Sequence, residues 1–291
     1  MTDRLIKTGA PPSENETFIL RTQRLSASYT SRSHGLFGKI NIKPVLDSIN
    51  LEIREGEIFG LLGLSGCGKT TLGRCILGLI PYEGEIFIDG LARGGGQNSR
   101  LRGPFRSGAA RRAMARKVQA VFQDPAASLN PVRRIGWIME EPLAIHRIGS
   151  AGERIRQVDE MLELVGLNSS YKTRRPGELS SGQKQRVCIG RALMLKPKLI
   201  IADEAVSALD VSVGAQILNL FRELHETLGM ALLFISHNID AVYYLCSRIA
   251  VMEQGRIVKT GTPEEIDVWE PLETQPGFPK VPLFENRKPS V

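Results

Sequence analysis

The stretch from residue 57 to residue 78 limits the possible folds of this chain more than any other. An apolar run, Glu57-Ile58-Phe59-Gly60-Leu61-Leu62, leads into Gly63-Leu64-Ser65-Gly66-Cys67-Gly68, and Lys69-Thr70-Thr71 then opens a run with no breaker before Gly78. Glycine loses more backbone freedom on folding than any other residue, so a glycine-rich turn that keeps one shape usually has a ligand to hold. The spacing Gly63-x-x-x-x-Gly68-Lys69-Thr70 is that of a phosphate-binding loop. A random chain of this length would show it about once in a hundred times. The context is a buried strand, then the loop, then a helix start, which aims backbone N–H groups and the positive helix end at an anion. The expectation is nucleotide phosphate held by residues 63–71.

The 291 residues can bury a core as one large or two small domains. Hydrophobic content of 42% and charged content of 24% are ordinary for a globular protein. No apolar run approaches the roughly 18 residues that span a bilayer. The opening MTDRLIKTGAPPSENET lacks the apolar core of a signal peptide, so a cytosolic chain is expected. Cys67, Cys75, Cys188 and Cys246 form no C-x-x-C pair, which speaks against a disulfide framework and against zinc. Much of the +7 net charge lies between Arg93 and Lys117, which holds eight Lys/Arg and no acid. With only Phe105 as an aromatic there, a solvated surface is favoured over a nucleic-acid site.

Residues 1–17 read as a loose polar tail. From Phe18 to Ile53 the pattern is strand-like, and strands then alternate with helices through "GEIFIDG", "VQAVF", "LIIAD" and "ALLFIS" to "GRIVKTG". Such alternation means an α/β fold with a mostly parallel sheet covered on both faces. After the breaker-rich "QDPAASLNP" comes a block without strand pattern, read as a helical subdomain inserted at about 130–182. The globular part closes at 262, and 263–291, with six prolines, reads as an extended tail.

Two further signals carry chemistry. "KLIIADEAVSALD" ends a buried strand in Asp203-Glu204, at the sheet edge where ligands of open α/β folds sit. One carboxylate there suits a phosphate-bound Mg²⁺ and the next can polarise an attacking water, although acids at strand ends also serve as helix caps. In "ELSSGQKQRVCIGRAL", Ser180, Ser181 and Gly182 precede a helix bearing Gln183. An ordinary Ser N-cap explains Ser180. A second anion site explains the glycine as well, and it would serve the nucleotide of another copy or partner.

Taken in order, "GLSGCGKTT", "VFQDP", "LSSGQ", "LIIADE", "SALD" and "FISHN" resemble the nucleotide-binding subunit of an ATP-binding cassette (ABC) transporter, from about residue 18 to 262. "TLGRCILGL", "VFQDPAASLNP" and "ADEAVSALDVSV" further resemble the subfamily importing peptides, nickel or metal-chelator complexes, and within it the second of two paired ATPases. The resemblance implies a P-loop NTPase (RecA-like) core with an antiparallel β subdomain and the helical insertion. It implies ATP and Mg²⁺, a second ATPase subunit, two permeases, and a solute-binding protein reached indirectly at the cytoplasmic face of the membrane, with no nucleic acid. By resemblance Tyr29 stacks on adenine, or is otherwise a core aromatic. Lys69 bridges the β- and γ-phosphates, and Thr70 ligates Mg²⁺. Gln123 contacts metal and attacking water, Asp203 holds Mg²⁺ through water, Glu204 is the general base and His237 touches the γ-phosphate. Ser180, Gly182 and Gln183 close over the partner's ATP, and Asp210 lines the dimer interface.

Two residues depart from the family pattern. Ser181 stands where Gly is usual and Ala205 where Pro is usual. Neither change removes a charged group, so hydrolysis is expected, slowed at most at one composite site. The tail lacks the Cys cluster and the His-Pro-Tyr-Thr stretch of many peptide-type subunits, which weakens the peptide reading. A soluble ABC ATPase acting on DNA or the ribosome would need a long insertion or a second cassette. A non-catalytic scaffold would be expected to have lost Lys69, Glu204 or His237.

Overall fold

Strands that read as unbroken apolar runs end up buried on both faces, and those that alternate line one face only. The computed structural model describes residues 17–32, 40–93 and 108–267. The expectations for tail 1–16, for most of the basic stretch (94–107) and for 268–291 lie outside the described residues. The larger sheet contains β3 (Ile58–Leu62), β6 (Val118–Val121), β7 (Leu199–Asp203), β8 (Ala231–Ser236), β9 (Arg248–Glu253) and β10 (Arg256–Gly261), in the order β10-β9-β3-β8-β7-β6. All its pairings are parallel except β10 with β9. The smaller sheet is antiparallel, ordered β2-β1-β4-β5, from β1 (Phe18–Arg32), β2 (Ile40–Arg54), β4 (Glu83–Ile88) and β5 (Leu91–Arg93).

The period of two along β3, β7 and β8 feeds two separate cores. Ile58, Leu62, Ile200, Ala202, Leu232 and Phe234 join one. Their neighbours Phe59, Leu61, Leu199, Ile201, Leu233 and Ile235 join the other. The second core is completed by the smaller sheet and by α1 (Lys69–Leu77), which rides close on the strands because Gly73 leaves only Ile235 and Ile201 beneath it. The first core is covered by α4 (Ile135–Ile145), α5 (Ala151–Leu164), α6 (Ser181–Leu193), α7 (Val211–Leu228) and α8 (Ile239–Leu245). Ahead of them in the chain, α2 (Gly108–Lys117) leads into β6.

Two short helices stand where breakers were expected. Within "QDPAASLNP", α3 (Pro125–Ser128) starts under Asp124, whose carboxylate accepts from the N–H groups of Ala126 and Ala127. The extended tail expected from Pro263 begins instead as α9 (Pro263–Asp267), where Thr262 and Glu265 bond each other's N–H groups. In both cases proline occupies the first helical position, where its missing N–H costs nothing and its fixed φ suits the helix.

Candidate functional site

Strand register brings distant sequence segments into one row. Leu62 of β3 pairs with Ser236 of β8, Asp203 of β7 with Ile235 of β8, and Val121 of β6 with Ala202 of β7. The residues that follow these strand ends therefore leave the same edge of the sheet side by side. They are Gly63, His237, Glu204 and, two positions past β6, Gln123. Neighbouring strands lie about 4.8 Å apart, so residues leaving adjacent strand ends can reach one small ligand together.

The loop over that edge depends on two glycines. A Cβ on Gly63 would sit 2.4 Å from the Met252 carbonyl oxygen. Gly68 has φ +114° and serves as the N-cap of α1 without any side chain to cap it, so the first helical N–H groups remain directed at the loop's hollow. Lys69 is buried, and its ammonium donates to the carbonyls of Gly63 at 2.6 Å and Leu64 at 3.0 Å. Ser65 and Gly66 are exposed at the loop tip, and Cys67 is half-buried with Sγ 3.9 Å from the Lys69 ammonium. Burial pushes the Cys67 thiol up.

The Thr70 hydroxyl donates to Asp203 Oδ1 at 3.1 Å. Burial raises the Asp203 carboxyl above its ordinary value, partly offset by that hydrogen bond. Glu204 has φ +50°, a left-handed conformation that costs a non-glycine residue about 1–2 kcal/mol. Its N–H donates to the Ile235 carbonyl, and its Oε1 lies 3.1 Å from His237 Nδ1. With Nδ1–H donating to the carboxylate, Nε2 of the half-exposed imidazole is free to accept. The kink thus turns one of two adjacent carboxylates toward Thr70 and the other toward His237. Gln123 is exposed between β6 and α3.

Tyr29 on β1 is half-exposed, not a core residue, and its hydroxyl lies 3.4 Å from Thr71 Oγ1 at the start of α1. Its ring lines a cleft of about 430 Å³ with Ile42, Ile80, Pro81 and Tyr82. A flat aromatic next to the anion loop can take a heterocycle on its face.

The fold leaves Ser180, Gly182 and Gln183 on a different element, and among the described residues no hydrogen bond joins them to residues 63–71. Ser180 and Gln183 form a capping box: the Ser180 hydroxyl accepts from the Gln183 N–H at 3.3 Å, and Gln183 Oε1 accepts from the Ser180 N–H at 3.0 Å. Gln183 Nε2 donates to the Tyr171 hydroxyl, so this side chain is turned back onto its own subdomain. The Ser180 O–H keeps its proton for an outside acceptor. Gly182 is buried under α7: a Cβ there would lie 2.6 Å from Val213 Cγ1. Val213 is held by Asp210, whose carboxylate caps α7 through the Val213 N–H at 3.0 Å. Sequence spacing did not reveal Val213 or Met252; the one available signal was the N-cap offset from Asp210.

Gly182→Ala is therefore expected to destabilise the fold by about 1–3 kcal/mol through overpacking. Trimming the facing residue in Gly182→Ala/Val213→Ala should restore most of it. Thermal unfolding of the four proteins of this cycle checks the coupling, and purely additive effects would refute the contact as the cause.

The ABC transporter family pattern matches residues 46–207. The chain is 40% identical over 259 residues to the oligopeptide transport ATP-binding protein OppF of Streptococcus mutans, covering 87% of this chain and 78% of that one. It is 43% identical over 234 residues to the dipeptide transport ATP-binding protein DppF of Haemophilus influenzae, covering 80% and 68%. Among solved structures it is similar to the dimeric post-hydrolysis state of the ATP-binding cassette MJ0796 bound to ADP and Pi, with TM-score 0.70, 28% identity, and 84% of this chain and 98% of that one covered. It is likewise similar to cbiO1 from Clostridium perfringens, described as part of the ABC transporter complex cbiONQ, with TM-score 0.71, 28% identity and coverage of 89% and 94%. On these matches, and on the α/β cassette fold that accompanies them, the chain belongs to the ABC transporter family as one of its ATP-binding, ATP-hydrolysing subunits.

Proposed function

We propose that residues 18–262 form a cassette that hydrolyses ATP at the sheet edge described above to drive import of peptides. The observation that carries this reading is the single row of Gly63, His237, Asp203-Glu204 and Gln123, with Lys69 and Thr70 on the helix that rises over it. Lys69 places its charge on the terminal phosphates, and N–H groups of 65–71 take the phosphate oxygens. Tyr29 receives the adenine. Glu204 accepts the proton of a water that adds to the γ-phosphorus as the bond to the ADP oxygen breaks, and His237 and Gln123 orient the transferred group and that water. The strained backbone of Glu204 separates its role from that of Asp203.

The residues present fit Mg²⁺. Thr70 Oγ1 and Asp203 Oδ1 already meet at 3.1 Å, and burial raises the Asp203 carboxyl, a group whose charge a bound cation would stabilise. Two protein oxygens would leave the rest of an octahedral shell to substrate phosphates and water. When bound, Mg²⁺ neutralises developing phosphate charge.

Ser180 and Gly182 complete the phosphate shell of a second cassette, with Asp210 at the seam, since they stand apart from this chain's own loop. The relatives named for oligopeptide and dipeptide transport favour peptide cargo over nickel or metal-chelator complexes. Permease subunits, as in the transport systems the relatives are named for, would hold this chain at the cytoplasmic face of the membrane. Among the described residues no helix is long and apolar enough to cross a membrane.

The test is ATPase rate against protein concentration, with and without the second ATPase subunit and permeases. The rate per chain is expected to be low in dilute protein and to rise steeply with partner. Ser180→Arg should impair the nucleotide on the partner's loop more than its own. A rate already maximal in demonstrably monomeric protein would refute the shared site.

A further inference from the structure

Buried polar side chains are hydrogen-bonded in folded proteins, and each exception needs a physical account. Gln185 is such an exception. It is fully buried in α6, and among the described residues neither its Nε2 nor its Oε1 has a partner. Two contacts define what this face of α6 lies against. The Cys188 thiol donates to the Pro125 carbonyl at 3.8 Å, and the Arg191 guanidinium donates to the Ser128 carbonyl at 2.7 Å. Both pairs are 63 positions apart in sequence, so α3 and α6 run side by side in the same direction. Gln185 lies one turn before Cys188 on the same face. Because α6 packs against β6 as well as α3, this part of it runs alongside the connection between them, Phe122–Asp124, which carries Gln123.

We propose that Gln185 is a positioning residue whose amide bonds the backbone of the Phe122–Asp124 turn once nucleotide is bound, and so holds Gln123 over the sheet edge. A carboxamide carries one acceptor oxygen and two donor hydrogens, enough to take a backbone N–H and give to a carbonyl at once. A buried amide without a partner is unfavourable. A rearrangement that pairs it is favoured by that difference, so the amide biases the cassette toward its nucleotide-bound arrangement without touching the nucleotide. This inference rests on the nucleotide site proposed above.

The experiment uses the full chain, with Gln185→Met and Gln185→Leu measured beside the parent. Without nucleotide, replacing the unpaired amide by an apolar side chain of similar length should raise Tm by about 2–4 °C. Mg-ATP should raise the parent's Tm more than the variants', so that the bound proteins melt together. A core residue with only a packing role would shift both states equally. Hydrogen exchange at the amides of 120–126 gives a second readout: Mg-ATP should slow it about fivefold in the parent and less than twofold in the variants. An equal nucleotide increment in parent and variants overturns the proposal, as does a variant no more stable than the parent at rest. Failure of both variants to fold overturns it too, because the amide would then already be paired. A parent whose Tm does not respond to Mg-ATP overturns the nucleotide site itself, and this inference with it.

Discussion

Glu204→Gln is expected to lower the steady-state ATPase rate by about 10²–10⁴-fold while leaving ATP binding intact. The substitution keeps the side chain's length and its acceptor oxygen, so the contact with His237 Nδ1 at 3.1 Å can persist. It also leaves the backbone N–H bond to Ile235 and the φ of +50° undisturbed in kind. What it removes is a basic oxygen that can accept a proton from water. Nearby, Lys69, Thr70 and Asp203 remain, so the phosphates keep their cradle. Phosphate release measured on the assembled complex, paired with a fluorescent-nucleotide titration, separates the two effects. A variant retaining more than about a tenth of the parent rate would rule Glu204 out as the base.

Lys69→Ala should weaken ATP binding by about tenfold or more and abolish hydrolysis with it. The ammonium is a point charge on a flexible stem, able to move from the Gly63 and Leu64 carbonyls it now satisfies to the phosphates of a nucleotide. Alanine leaves both carbonyls without that donor and the phosphates without their nearest cation. Lys69→Arg should not rescue, because the planar fork cannot enter a buried position shaped for an ammonium. An unchanged ATP affinity in Lys69→Ala would remove this residue from the site.

Much of this arrangement is legible from residue order because its parts are local. The apolar runs of β3, β7 and β8 are each bounded by the groups they present, and α7 spans Val211–Leu228 between an Asp cap and a glycine stop. Where the reading failed, a single residue type was given one meaning. Pro125 and Pro263 were read as breakers, yet each follows a capping residue and opens a helix. Other features were invisible for a different reason. That Val213 fills the space above Gly182, or that Cys188 and Arg191 of α6 reach the Pro125 and Ser128 carbonyls of α3, depends on how helices from separate segments settle against one another. No local pattern encodes that.

The alternation that divides β3, β7 and β8 between two cores also indexes the chemistry at their ends. Deleting one residue within β7 would swap which core its side chains enter and draw Asp203 and Glu204 back from the edge, along the strand, by one position, about 3.3 Å. Neither core could absorb the exchange, since Leu199 and Ile201 fill one and Ile200 and Ala202 the other. The placement of the carboxylates is thus enforced by apolar residues that never meet a nucleotide, and an insertion or deletion in these strands is resisted twice over, by each layer independently.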